Sequence, residues 1–132
     1  MDEVLEFLTE NRVFYIATVD GHLPRVRPFG FVMKYDGKLC FCTNNQKEVY
    51  RQLRANPHFE ISATSADGSK WLRLRGQAVF ITSRETKKAA LEHMPSLRRM
   101  YSEDDDIFEI FYADQAEATF ADLEGNVRTF KL

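Results

Sequence analysis

Apolar side chains recur along this chain at two spacings, and the alternation between them predicts its elements. Val4, Leu5, Phe7 and Leu8 follow Asp2 at helical spacing and predict a short helix ending near Asn11. From Arg12 to Val19 β-branched and aromatic residues predominate, as in a strand, and Asp20-Gly21 is a turn signal before a second extended segment, Pro24 to Tyr35. Asp36-Gly37 is another tight-turn pair, leading into Lys38 to Thr43, so three strands are expected to run as a meander. The spacing then returns to helical: Val49, Tyr50 and Leu53 share one side and Arg51 and Arg54 the other, until Asn56-Pro57 stops the helix. His58–Thr64 and Lys70–Thr82 read as strands around a turn at 67–69, with Trp71, Arg73 and Arg75 on one face. Arg84–Met94 reads as a third helix, extended by a helical turn from Pro95 to Met100. Ile107–Tyr112, Ala116–Asp122 and Val127–Lys131 read as three closing strands.

Many short strands joined by tight turns, with few helices, predict a mainly β fold: a small antiparallel barrel with peripheral helices, which also removes most exposed sheet edges. A chain of 132 residues supports one core, so residues 1–132 are expected to form a single domain. No apolar run is long enough for a membrane span and the start Met1-Asp2-Glu3-Val4 is not that of a secretory signal, so a cytoplasmic location with no membrane partner is expected. A net charge of −2 argues against a nucleic-acid partner. Positive charge nevertheless gathers mid-chain, at Arg25, Arg27, Lys47, Arg51, Arg54, Arg73, Arg75 and Arg84, a distribution compatible with a local anion site.

Three stretches could carry chemistry. In "CFCTNNQK" (40–47), Cys40 and Cys42 lie two apart on a strand and project together, but no further soft ligands stand at metal-site spacing, so both read as packing residues and no metal is expected. The residues that follow are more informative. Asn45 with Glu48 has the form of a capping box, and Lys47 in a first helical turn opposes the helix dipole unless an anion lies nearby. With the Thr43 hydroxyl and free N–H groups at the helix start, this makes a plausible phosphate cradle; the bland alternative is an ordinary cap with a solvated lysine. In "RVRPFGFV" (25–32), Arg25, Arg27 and Phe29 share a face, Pro28 cannot donate to a ladder, and Gly30 permits close approach to the backbone. A planar anionic ligand along this strand would account for them, and so would an edge strand with solvated arginines. The meander is expected to set Pro28–Gly30 across from Cys42 and Thr43. The acidic run "SEDDD" (102–106) lacks the spacing of a calcium loop and reads as a solvated turn.

The order Arg27-Pro28-Phe29-Gly30, a hairpin, Cys42-Thr43-Asn44-Asn45-Gln46-Lys47 and a short helix resembles the FMN-binding split-barrel superfamily of pyridoxamine 5'-phosphate oxidase. Within it, "ATVDG", "RVRPFG", "FCTNNQK" and "WLRLRG" resemble a small group near the 5-nitroimidazole reductases. The resemblance implies a six-stranded split barrel, a homodimer, and FMN at the subunit interface. It assigns cofactor binding to Arg27, Pro28, Phe29, Gly30, Cys42, Thr43, Gln46, Lys47 and Trp71, with Arg27 and Lys47 on the phosphate and Trp71 covering the ring from across the dimer. The implied activity is an FMN-dependent oxidoreductase acting on a small-molecule substrate, with no catalytic acid or base named. The alternative is a non-catalytic flavin- or haem-binding module on the same barrel. Val32 stands where the oxidase has a lysine, and the chain ends at Lys131-Leu132 without the oxidase's Arg-x-His, so vitamin B6 oxidation is not expected.

Overall fold

A computed structural model describes residues 1–132. Its elements are α1 (Asp2–Glu10), β1 (Phe14–Asp20), β2 (Leu23–Phe29), β3 (Met33–Tyr35), β4 (Lys38–Asn44), α2 (Glu48–Ala55), β5 (His58–Thr64), β6 (Lys70–Phe80), α3 (Arg84–His93), a 3₁₀ turn (Pro95–Arg99), β7 (Phe108–Asp122) and β8 (Val127–Lys131). All strand pairs are antiparallel, in the order β2-β1-β5-β6-β7-β4-β3, with β8 on β7.

That order ends at β2 and β3, which are consecutive pieces of one chain segment. The backbone of Gly30, Phe31 and Val32 therefore joins the two sheet edges where hydrogen bonding stops, and the barrel is split there. Counting β2 and β3 together gives the six expected strands, and β8 is added on the outside. Pro28 lies on a strand at the end of the hydrogen-bonded path, where its missing N–H leaves no ladder bond broken.

Period-two burial fills the barrel. Phe14 and Ile16 of β1, Phe41 of β4, Phe59 and Ile61 of β5, Leu72 and Leu74 of β6, and Phe111 of β7 are buried in one core, onto which α1 adds Val4, Phe7 and Leu8 and α2 adds Val49 and Leu53. Each Phe or Leu shielded from water in this way contributes about 1.5–3 kcal/mol. A second cluster packs α3, through Ala90 and Leu91, against the outside of β3, β4 and β7; it contains Phe31, Met33, Cys40, Tyr101, Phe108 and Ile110.

The structure corrects the sequence reading in several places. Pro24–Tyr35 is two strands, because the chain must cross from one sheet edge to the other. As a consequence, only Met33–Tyr35 pairs with Lys38–Cys40, whereas Pro28 pairs with Tyr15, so the expected pairing of Pro28–Gly30 with Cys42 and Thr43 does not form. The two closing strands at 107–122 are one long strand, kinked at Gln115 (φ 50) beside a register shift at Gly76 of its neighbour. The first hairpin turns at Gly21-His22, with Asp20 still paired to Leu23.

Candidate functional site

Beside the split, a cleft of about 350 Å³ is lined by Arg12, Val13, Pro28, Phe29, Gly30, Phe31, Cys42, Thr43, Lys47, Met94, Leu97, Met100 and Tyr101. Residues from both sequence stretches thus converge although their strands do not pair. The crossover segment supplies Pro28 to Phe31, the end of β4 supplies Cys42 and Thr43, and Lys47 follows at the start of α2. A larger cleft of about 530 Å³ opens at the divergence of β1 from β5 and β6; it includes His58, Glu60, Arg75 and Gln115 but none of the expected ligand residues.

Thr43 is 5% exposed, and its Oγ1 has no hydrogen-bond partner. A buried hydroxyl left unpaired costs about 1–3 kcal/mol, and this one, on a residue of the cleft wall, is the first mark of a polar site. The second mark is the start of α2. Lys47 is itself the N-cap, in extended conformation and with no side-chain cap, and the N–H groups of Glu48, Val49 and Tyr50 donate to no other group. Unpaired helix N–H groups, a positive dipole end and an ammonium together favour an anion.

The expected capping box is absent because both asparagines have long-range partners. Asn44 Nδ2 donates to Tyr101 Oη at 2.7 Å, and Asn45 Nδ2 donates to the Asp106 carbonyl at 2.7 Å and to Glu109 at 3.0 Å. These bonds tie the end of β4 to the 101–109 segment and so bring Tyr101 to the cleft wall. Gln46 is exposed, donates from its N–H to Asn44 Oδ1, and does not line the cleft.

Cys42 lines the cleft as a neutral thiol. Burial pushes its pKa up to about 12, against a smaller downward pull from Lys47, and burial likewise raises Cys40 to about 11. Cys40 is fully buried beneath α3.

Arg27 does not line the cleft. It lies opposite Ile16 on the inner face of β2, where Nη1 donates to Thr18 Oγ1 at 2.7 Å and to the Ile16 carbonyl at 3.3 Å, and Nη2 donates to Gln52 Oε1 at 2.6 Å. Burial, and then the neighbouring Arg25, lower its pKa. Trp71 is half-buried on the outer face of β6, between Thr64 and Ala121, away from the cleft of its own chain.

The acidic run is a fastened loop. Arg84 pairs with Glu103 at 3.2 Å and Asp104 at 2.9 Å, Lys87 Nζ donates to the Asp105 carbonyl at 2.7 Å, and the Asp105 carboxylate accepts from the N–H groups of Ser102, Ile107 and Phe108. Burial pushes the Asp105 pKa up, but these three donors together outweigh it and the net shift is downward.

Sequence reasoning missed Arg12, Val13, Met94, Leu97, Met100 and Tyr101. The last four reach the cleft because α3 packs on the outside of the barrel, and no local motif announces that.

An antiparallel barrel split beside a cleft with an anion-seeking end defines the class: a split barrel of the FMN-binding type. A sequence profile described as pyridoxamine 5'-phosphate oxidase matches residues 1–110, and the chain belongs to that family. A solved NimC/NimA family protein from Clostridium acetobutylicum is 46% identical, with a TM-score of 0.95 over 100% of this chain and 92% of that one. A pyridoxamine 5'-phosphate oxidase-related, FMN binding protein from Nostoc punctiforme shares the fold at 14% identity, with a TM-score of 0.67 over 99% of this chain and 95% of that one. A heme binding protein from Mycobacterium smegmatis shares it at 17% identity, with a TM-score of 0.76 over 98% of this chain and 56% of that one. A search of curated proteins gave no match.

Proposed function

We propose that the chain binds FMN in the cleft beside the split and acts, as a homodimer, in passing electrons from a reduced donor to a small acceptor. The observation that carries this reading is the orphaned Thr43 Oγ1 beside Lys47 and the uncapped start of α2. The phosphate is assigned to Lys47 and the N–H groups of Glu48 to Tyr50; Arg27, which does not line the cleft, is joined to the same helix through Gln52. Thr43 donates or accepts at the polar edge of the ligand, Pro28, Phe29 and Gly30 run along it, and Cys42 forms a neutral wall. FMN supplies the hydride and electron chemistry when bound. The protein's own part is to hold the ligand, keep one face open and exclude water with Met94, Leu97 and Met100.

Register supports the dimer. Tyr15, Pro28, Ser62 and Arg73 lie in one row on the outer face of the sheet, and Val26, Ala17, Glu60 and Arg75 in the next. Tyr15 is 50% and Val26 67% exposed, an apolar patch continuous with Pro28 of the cleft wall. Trp71 belongs to the same outer face, so a second copy docked there could present its Trp71 to the cleft. The haem alternative would have to take its iron ligand from Met94, Met100 or Tyr101, because no histidine lines the cleft and its one thiol is held neutral.

The test is a comparison of FMN with riboflavin, which lacks the phosphate. FMN is expected to bind more tightly, and Lys47→Ala to remove most of the difference. Equal affinity of the two flavins for the unaltered protein would overturn the reading.

A further inference from the structure

Six of the eleven arginines pair with carboxylates, and Arg12, Arg27, Arg54, Arg98 and Arg99 do not. Arg25 and Arg51 share Asp20 at 3.7 Å each, Arg73 meets Glu60 at 2.7 Å, Arg75 meets Glu117 at 2.6 Å, Arg84 meets Glu103 and Asp104, and Arg128 meets Glu3. Arg27 is held in a different way. All three of its acceptors are uncharged: the Thr18 hydroxyl, the Ile16 carbonyl and the Gln52 amide oxygen. Thr18 is 3% and Gln52 2% exposed, and the Thr18 hydroxyl donates to Gln52 Oε1 at 2.6 Å, so the two acceptors are locked to each other before the guanidinium meets them.

A guanidinium stays charged at any working pH, and a fixed fork of donors loses little entropy when it meets an oxyanion. Nη1 uses both hydrogens on Thr18 and Ile16, and Nη2 uses one on Gln52, which leaves Nε–H and the second Nη2 hydrogen free. Gln52 sits on α2, whose uncapped start at Lys47 lines the cleft beside the split, while Thr18 lines the larger cleft next to it. A glutamate at position 52 would make a stronger bond to Arg27 but would cancel its charge.

We infer that Thr18 and Gln52 are positioning residues that hold Arg27 oriented but un-neutralised, so that the site distinguishes a phosphorylated ligand from its unphosphorylated form. This rests on the proposed reading of the cleft as an FMN site. The uncharged pair does two things at once: it fixes the guanidinium against β1 and α2, and it leaves the positive charge for the ligand.

The experiment measures the affinities of FMN and riboflavin, by quenching of flavin fluorescence, for the full chain and for Gln52→Glu, Thr18→Val, Thr18→Ser and Arg27→Ala, with thermal melts to confirm folding. Gln52→Glu and Thr18→Val are each expected to lower the FMN-to-riboflavin affinity ratio about tenfold, the size of one charge-assisted contact, with riboflavin affinity unchanged. Thr18→Ser, which keeps the hydroxyl, is expected to retain the ratio. A purely structural role would lower both affinities together. If Arg27→Ala lowers the ratio while Gln52→Glu and Thr18→Val leave it at the unaltered value, the inference is overturned and the phosphate reading stands. If Arg27→Ala also leaves it unchanged, Arg27 has no phosphate role and the inference falls with that role.

Discussion

At the scale of the residue, the side chains that matter in "CFCTNNQK" are those without partners. Thr43 has a buried hydroxyl with nothing to bond, and Thr43→Val tests what that orphan is for. Removing an unsatisfied buried hydroxyl is expected to leave the ligand-free protein as stable, or to raise its stability by about 1 kcal/mol, while weakening FMN binding. Denaturant unfolding and a flavin titration on the same variant check both signs. The thiols give a pH prediction. A thiol has an ordinary pKa of 9.0, and the fold raises Cys40 to about 11 and Cys42 to about 12, so the native state binds those protons more tightly than the unfolded chain does. Their contribution is whole below pH 9.0 and is lost as pH rises toward 12. Stability is expected to fall over that alkaline window, and both thiols to react slowly with a thiol reagent near neutral pH; fast labelling of the folded protein at pH 7.5 would contradict it. Thr43 and Lys47 stand out in the sequence as a hydroxyl at a strand end and a cation at a helix start, and both line the cleft, but Lys47 is the extended N-cap and not the first-turn residue expected. The capping box was misread because Asn44 and Asn45 bond to Tyr101, Asp106 and Glu109, partners nearly sixty residues or more away that local spacing does not reveal.

At the scale of the element, α3 and its loop build the cleft's outer wall. Ser83 caps α3 by accepting from the Thr86 N–H at 3.1 Å, while Thr86 Oγ1 accepts from the Ser83 N–H at 2.9 Å. Ser83→Ala is expected to cost about 1 kcal/mol in chemical denaturation. A loss within error would mean that packing of Ala90 and Leu91 alone holds the helix. The loop after it answers to acid: Asp105 has a lowered pKa, so its contribution is present above the ordinary carboxylate value and is lost as pH falls through the lowered one. Hydrogen exchange at Ile107 and Phe108 N–H, which donate to that carboxylate, should therefore accelerate relative to the barrel strands on acidification. Strand identity and order of occurrence were readable from period-two patterning and Asp-Gly turns. The cut between β2 and β3 was not, because "RVRPFGFVMKY" is uniformly strand-like and only barrel closure forces the crossover at Gly30 to Val32. The same closure explains why Pro28–Gly30 and Cys42–Thr43 meet across a cleft and not across a ladder.

At the scale of the whole molecule, the proposed site takes Trp71 from a second copy of the chain. Within one chain Trp71 does not line the cleft, yet Tyr15, Val26 and Pro28 form an exposed apolar patch over two neighbouring rows of the same outer face of the sheet. A charge placed there, as in Val26→Asp, is expected to yield a folded monomer by analytical ultracentrifugation, with FMN affinity reduced together with dimerisation. A variant that remains dimeric and binds normally would move the interface elsewhere. No helix is long and apolar enough to cross a membrane. The most direct test of the central claim is a fluorescence titration of the purified, ligand-stripped chain with FMN and, in parallel, with riboflavin. The account predicts saturable quenching at one FMN per chain and markedly weaker binding of riboflavin; no saturable binding of FMN, or equal binding of the two, would contradict it.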